Sequence, residues 1–189
     1  MSCAAVFALP GRLAAVEAAL DGWCDGLAPA VLSGPDAVDG LKRVSVVIRR
    51  LTAAQTGLAG RVADTNSWRG TSPNAAVWIA VTLGVSMADA HRMLQTGKRL
   101  GSCPVADAAF KQGDLSLSEA EQVSLAAEAD PSSEAAMVGT AKKTHDLRDT
   151  RDKSDKIRRG VHDAKSETER AAKIHAGRRW RPFTDPHDG

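Results

Sequence analysis

The stretch SPNAAVWIAVTLGVSMADAHRML, residues 72–94, decides the fold class of this chain. It contains two short runs with helical periodicity, joined by Gly84-Val85-Ser86. Small residues at Ala80 and Ala90 allow two helices to cross closely, and a glycine suits the sharp turn between them. This pattern is typical of a helix-turn-helix that enters a DNA groove, and also of two helices that simply pack at a corner. The pattern leaves both interpretations open.

The composition favours close-packed helices over a wide sheet. The chain has 189 residues, enough for one domain or slightly more. Its hydrophobic content is 43% and its charged content 25%, but only 4% of the residues are aromatic and none is Tyr. The core must therefore consist mainly of Ala, Val, Leu and Ile, which at helical spacing pack as helices.

The net charge of +2 does not by itself require a nucleic-acid partner, but it is unevenly distributed. Residues 1–130 contain 11 basic and 13 acidic residues, a net charge of −2, whereas residues 131–189 contain 14 and 10, a net charge of +4. This basic excess fits a polyanionic partner. The alternative is a solvated helix whose basic side chains pair with Asp149, Asp152 and Asp155.

The cysteines and the hydropathy point to a cytoplasmic protein. Cys3, Cys24 and Cys103 are far apart and form no CxxC pair, so no zinc site is expected. An odd number of cysteines without a secretory leader is typical of a reducing compartment. No apolar run approaches the roughly 18 residues of a membrane span, so no membrane partner is expected.

Periodicity and capping residues predict an all-α bundle of about six or seven helices. We expect a first helix over residues 11–23 and a long one from Pro35 to residues 64–66. In the pair, Ser72 is predicted to cap the first helix and Ser86 the second. Further helix starts are predicted at Pro104, at the capping-box pair Ser116 and Glu119, and at Asp130-Pro131.

These elements predict three segments. Residues 1–130 form a helical domain that contains the pair at 72–100, and residues 131–177 form one long, charged, polar helix. Residues 178–189 form an extended tail with a terminal β-strand stub and a turn. A lone strand is not stable without a partner strand, so we predict that the tail begins a missing C-terminal region and that the chain is truncated.

Motifs for catalysis or cofactor binding are absent from the sequence. It has no G-x-S-x-G elbow and no G-x-G-x-x-G loop, and Gly97-Lys98 lacks the other residues of a Walker motif. The five histidines show no HExxH spacing. We predict no catalytic residue, no metal site and no cofactor in this chain, although a site assembled by folding stays open.

Candidate nucleic-acid contacts lie on the second helix of the pair and in the tail. Arg92 and Gln95 could reach base edges or phosphates, and Lys98 and Arg99 could contact the backbone one turn later. Trp68 and Trp78 could stack on bases, but we favour them as large side chains in an alanine-rich core. The tail contributes three arginines around a tryptophan: Arg178, Arg179, Trp180 and Arg181.

The segment from Trp68 to Val123 and the tail IHAGRRWRPFTDPHDG also resemble a known family. The matching positions are Trp68, Gly70, Ser72, Trp78, Gly84-Val85-Ser86, Ala90, Arg92, Arg99-Leu100, Pro104 and Gly113-Asp114-Leu115-Ser116. On these residues the chain resembles the actinobacterial domain of unknown function two hundred and twenty-two, also called the thirteen-E-twelve repeat family.

The resemblance implies association with DNA, because that domain commonly precedes an HNH nuclease module. The catalytic motif of the module is absent here, and the only asparagines are Asn66 and Asn74. No nuclease residue is carried over. We therefore expect a non-catalytic, DNA-associated helical module; the alternatives are a protein-interaction or oligomerisation module that uses the long C-terminal helix, and an enzyme whose site is assembled by folding.

Overall fold

The computed structural model describes residues 9–177, and this part of the chain is helical with no β-strand. Its eight α-helices are α1 (Leu9–Gly26), α2 (Gly34–Asp64), α3 (Ala75–Leu83), α4 (Met87–Leu100), α5 (Pro104–Gln112), α6 (Leu117–Ala129), α7 (Glu134–Thr144) and α8 (Leu147–Gly177). The all-α class is confirmed. The predicted strand stub lies outside the described residues.

Tertiary contacts divide the chain into two units, residues 1–44 and residues 45–189. The first unit contains α1, a 3-10 turn at Pro29–Val31 and the start of α2. The Ser33 hydroxyl caps α2 by accepting a hydrogen bond from the Asp36 amide (3.3 Å). The predicted helix break near Pro35 is confirmed, as is the end of this helix near residue 64.

The helix pair forms where its capping residues predict, with one difference. Gly84 ends α3 in a left-handed conformation (φ 64°), and the Ser86 hydroxyl begins α4 by accepting a hydrogen bond from the Asp89 amide (3.1 Å). The predicted cap at Ser72 is wrong. Asn74 is the cap, because its Oδ1 accepts a hydrogen bond from the Val77 amide (2.9 Å), and asparagine caps a helix as well as serine does.

Two alanine-rich clusters of buried residues hold the second unit together. The larger one joins α5, α6 and α7 to the end of α4, around Phe110 and Leu115. The smaller one joins α2, α3 and α4 around Ile79 and Met93. Trp78 packs against the smaller cluster without being fully buried. The largest fully buried side chain of the described residues is therefore Phe110 rather than a tryptophan.

The single helix predicted over residues 131–177 is two helices in the structure. Asp130 caps a 3-10 turn at Pro131–Ser133, and α7 follows it. α7 ends at His145, whose backbone is left-handed (φ 47°), and the Asp146 carboxylate then accepts a hydrogen bond from the Arg148 amide (2.8 Å) at the start of α8. A left-handed residue interrupts the helical hydrogen bonds, which explains why eight helices form instead of six or seven.

The first half of α8 packs on α6 through small polar side chains. Thr150 and Ser154 are fully buried, and the Ser154 hydroxyl donates a hydrogen bond to the Gln122 carbonyl (2.9 Å). Ile157 packs against the larger cluster. From Arg158 onward, every described side chain except Ser166 is exposed. The second half of α8 therefore continues beyond its contact with α6.

The turn between α5 and α6 brings the backbone of Gly113 against α2. Gly113 has a φ of 79°, and a Cβ at this position would lie 2.8 Å from the Val46 carbonyl oxygen. Beside it, Arg50 Nε donates a hydrogen bond to the Gln112 carbonyl (2.8 Å). Both the conformation and the space therefore require glycine at position 113.

We expect Gly113→Ala to lower the free energy of unfolding by about 3 kcal/mol, because left-handed backbone costs a non-glycine residue about 1–2 kcal/mol and an overpacked contact about 1–3 kcal/mol. Gly84→Ala is the matched control, since its φ is 64° and no atom lies within 4 Å of the added Cβ. It should cost only the conformational part. Urea unfolding followed by circular dichroism measures both; equal losses would refute the close approach of α2.

Candidate nucleic-acid interface

The second helix of the pair, α4, packs against four helices, α2, α3, α5 and α6, and keeps one edge in solvent. It contacts α3 and α6, and a Cβ added to Gly97 would lie 3.2 Å from Thr56 Cγ2 on α2. The buried side chains of α4 are Ala90, Met93, Thr96 and Leu100. The exposed edge carries His91, Gln95 and Lys98. Gly97-Lys98 therefore lies inside a helix and not in a phosphate-binding loop.

Arg92, a predicted DNA contact, is held by two carboxylates. Its Nη1 lies 2.8 Å from Asp89 Oδ1 on the same helix, and its Nε lies 3.3 Å from Glu121 Oε2 on α6. The Arg92 side chain is 37% exposed and that of Glu121 23%. The guanidinium is thus directed toward α6, and its charge is balanced within the protein.

Arg99, another predicted contact, is held differently. Its Nε donates a hydrogen bond to the Ser124 hydroxyl (3.1 Å), and that hydroxyl donates to the Glu121 carbonyl (2.9 Å). Ser124 is fully buried on α6, so its position is fixed by packing. Within residues 9–177, the guanidinium of Arg99 has no carboxylate within ion-pair distance.

These side chains line a shallow groove between α4 and α6. It has a volume of about 300 Å³ and is lined by Ala88, His91, Arg92, Gln95, Arg99, Glu121 and Leu125. Three of the four predicted contacts on α4, Arg92, Gln95 and Arg99, thus meet at one groove, and Lys98 lies on the exposed edge beside it. The tail contacts Arg178, Arg179, Trp180 and Arg181 lie outside the described residues.

Each of the two arginines has a partner on α6, Glu121 for Arg92 and Ser124 for Arg99, which the sequence did not indicate. The pairing of Arg92 with Asp89 follows from their spacing of three residues along one helix. Glu121 and Ser124 are more than 20 residues away, and no local spacing signals their approach. Only the crossing of α4 and α6 brings them to the groove.

Three of the eleven Lys and Arg residues of α7 and α8 form ion pairs with acidic residues in the described part of the chain. Lys142 lies 2.6 Å from Asp114, Lys153 lies 3.1 Å from Asp149, and Arg158 lies 3.4 Å from Asp155. Two of these pairs have the helical spacing of three or four residues. These pairs fit the ion-paired interpretation at three positions, but the other eight basic side chains make no ion pair within residues 9–177, so both interpretations of this segment stay open.

The described residues do not assemble a metal site, because no group of three or more His, Cys, Asp or Glu among them could hold an ion. Cys103 lies just after α4 and is buried. Burial raises the pKa of the Cys103 thiol, while the neighbouring Ser102 hydroxyl, 4.0 Å from Sγ, acts weakly in the opposite direction. A raised pKa makes this thiol a poor nucleophile at neutral pH.

The fold and the groove define an all-α module with a helix-turn-helix-like pair. The model of one family, described as "Domain of unknown function (DUF222)", matches residues 38–181, and the chain belongs to this family. No curated protein and no solved structure matches the chain. Between residues 9 and 177, none of the helices has the length and apolar character needed to cross a bilayer.

We expect iodoacetamide to alkylate Cys24 at least about tenfold faster than Cys103 at pH 8, because the thiolate reacts and Cys103 is buried while Cys24 is exposed. The Cys103 rate should keep rising above pH 9.0, the ordinary thiol value. Because the folded state binds the Cys103 thiol proton more tightly than the unfolded state, this thiol's contribution to the free energy of unfolding is complete below pH 9.0. The contribution is lost as the pH rises through the raised pKa of the folded state.

The Cys3→Ser variant removes the third thiol from this experiment, and peptide mass spectrometry assigns each alkylated site. Equal rates at Cys24 and Cys103 would contradict the burial of Cys103.

Proposed function

We propose that this chain is a non-catalytic helical module that associates with duplex DNA through the exposed edge of α4. In this proposal it acts in the cytoplasm of an actinobacterium, as the amino-terminal part of an HNH-endonuclease-like protein in which another module cuts the DNA. The basic tail, Arg178 to Arg181, adds contacts to the phosphate backbone.

The observation that supports the proposal is the position of Gln95 and Lys98 on the solvent edge of the second helix of the pair. Residues three or four apart lie on the same side of a helix, so His91, Gln95 and Lys98 face solvent together. A glutamine can pair with the edge of adenine in the major groove, and a lysine can bind a phosphate.

The acidic residue of α4 does not oppose this arrangement. Asp89 would repel phosphate if it were free, but its carboxylate accepts a hydrogen bond from the Ser86 hydroxyl (2.7 Å) and pairs with Arg92. The Asp89 carboxylate is therefore held at the start of the helix, about two and a half turns before Lys98. The exposed edge is left with one uncompensated cation and two hydrogen-bonding side chains.

We expect Lys98→Ala to weaken binding to a duplex of about 20 base pairs, because one phosphate contact is lost. The slope of log K against log salt should become shallower by about 0.9, the value for one contact. Fluorescence anisotropy at several salt concentrations measures both quantities.

Lys143→Ala is the matched control, since Lys143 is also exposed but lies on α7. It removes the same charge and should leave the slope unchanged. If the unsubstituted chain does not bind the duplex even at low salt, the proposal is wrong. If the two variants change the slope equally, α4 is not the DNA-binding surface.

A second candidate function is assembly with another chain through α8. The part of α8 from residue 158 to residue 177 is about 30 Å long at 1.5 Å per residue, and its described side chains other than Ser166 are exposed. Its side chains Val161, Ala164, Thr168 and Ala171 recur at spacings of three and four residues, the pattern of a two-stranded coiled coil. An exposed helix with such a seam fits a helical partner.

If α8 mediates self-assembly, light scattering should give an oligomer for the chain and a monomer for the double variant Val161→Glu with Ala164→Glu, because two charges would be buried in the seam. Arg159→Glu with Lys173→Glu is the control, since these residues lie on the opposite side of the helix. A monomeric unsubstituted chain would rule out self-assembly.

A further inference from the structure

We propose that the groove between α4 and α6 binds one backbone phosphate of the DNA through Arg99, and that Glu121 limits the strength of this site by restraining Arg92. This inference rests on the proposed association with DNA. It assigns separate roles to Arg92 and Arg99 from their partners on α6, and it adds Glu121 and Ser124 to the residues that determine binding.

Arg99 is prepared to bind an anion. A guanidinium has five N–H donors in a planar fork, and the contact with Ser124 occupies only Nε. Within residues 9–177, the two terminal nitrogens of Arg99 make no hydrogen bond or ion pair. They can therefore donate a pair of parallel hydrogen bonds to two oxygens of one phosphate, the geometry in which arginine binds phosphate best.

Ser124 is the positioning residue for Arg99. The Ser124 hydroxyl accepts the hydrogen bond from Arg99 Nε and donates one to the Glu121 carbonyl. These two hydrogen bonds fix the orientation of the hydroxyl. The residue is fully buried, which prevents it from changing rotamer freely. A guanidinium that is already oriented loses less side-chain freedom when it binds, and the affinity rises accordingly.

Glu121 has the opposite effect on the same groove. Arg92 is shared between Asp89 and Glu121, so one positive charge faces two negative ones. A phosphate that enters the groove meets this cluster, whose net charge is −1, and cannot bind the Nε side of Arg92 unless Glu121 releases it. Because the Glu121 side chain is mostly buried, its charge is screened less by solvent than that of a surface carboxylate.

The other groove residues fit a phosphodiester of a duplex rather than an apolar ligand. His91 and Gln95 add hydrogen-bonding side chains to the lining, and Lys98 lies on the adjoining edge. The groove is shallow and open to solvent, so a phosphate can enter it while it stays part of the strand. The phosphate at this site would continue the strand contacted by Lys98.

The test compares Glu121→Gln with Glu128→Gln in duplex binding by fluorescence anisotropy from 50 to 200 mM salt. Both variants remove one negative charge from α6, but Glu128 is exposed and does not line the groove. We expect Glu121→Gln to free the Nε side of Arg92 for a phosphate, while Nη1 stays paired with Asp89. The salt slope should steepen by about 0.9, which corresponds to a further loss in affinity of about 3.5-fold over this salt range.

Glu128→Gln should leave the slope unchanged, and Arg99→Gln should make it shallower by about 0.9. Ser124→Ala should weaken binding in the unsubstituted background and have no effect in the Arg99→Gln background, because a positioning residue acts only through its partner. Circular dichroism confirms that each variant is folded.

Equal slopes for the two glutamate variants would overturn the role of Glu121. An effect of Ser124→Ala that persists without Arg99 would overturn its positioning role. If neither the unsubstituted chain nor any variant binds the duplex, the proposed function itself fails. If the unsubstituted chain binds but Glu121→Gln and Glu128→Gln behave alike, only this inference fails. Inorganic phosphate can be added as a competitor. If it displaces the labelled duplex as well as unlabelled duplex does at the same phosphate concentration, the groove binds free phosphate and not DNA.

Discussion

Close packing around α6 is the constraint on which the second unit depends. This helix contacts α4, α5, α7 and α8, and so many neighbours fit only because its side chains are small where the helices cross. Ala120, Ser124 and Ala126 are fully buried. The start of α6 is fixed by a capping box in which Glu119 accepts a hydrogen bond from the Ser116 amide (2.7 Å). The same buried carboxylate lies 3.4 Å from His145 Nδ1, which ties the α7–α8 corner to α6.

The helix boundaries that depend on local capping were predictable from the sequence. Gly84, Ser86 and the pair Ser116 and Glu119 act where they were expected to act, because a cap is formed by residues at most three positions apart. The break at His145 was not predictable, since a left-handed histidine carries no sequence signal of the kind that glycine carries. The contact of α8 with α6 was missed for another reason. The fully buried side chains of α8 are Thr150 and Ser154, and a search for apolar periodicity does not detect polar residues.

The candidate site shows the same division between local and long-range information. The exposure of Gln95 and Lys98 follows from the amphipathic pattern of α4 alone, so the sequence could identify them. The difference between Arg92 and Arg99 depends on which residue of α6 lies opposite each of them. Two arginines seven positions apart lie on the same side of one helix, so their spacing does not separate their roles. The charge of Arg92 is paired with the Glu121 carboxylate, whereas Arg99 contacts the Ser124 hydroxyl and keeps its charge available for a phosphate.

The hydroxyl-lined contact of α8 with α6 has a thermodynamic consequence. Heat capacity rises on unfolding in proportion to the apolar surface that becomes hydrated, and polar surface lowers it. On the α8 side, separation from α6 would hydrate the buried hydroxyls of Thr150 and Ser154 together with the hydrocarbon of Ile157. The enthalpy of that separation should therefore vary less with temperature than the enthalpy of opening the Phe110 cluster, whose buried side chains are apolar.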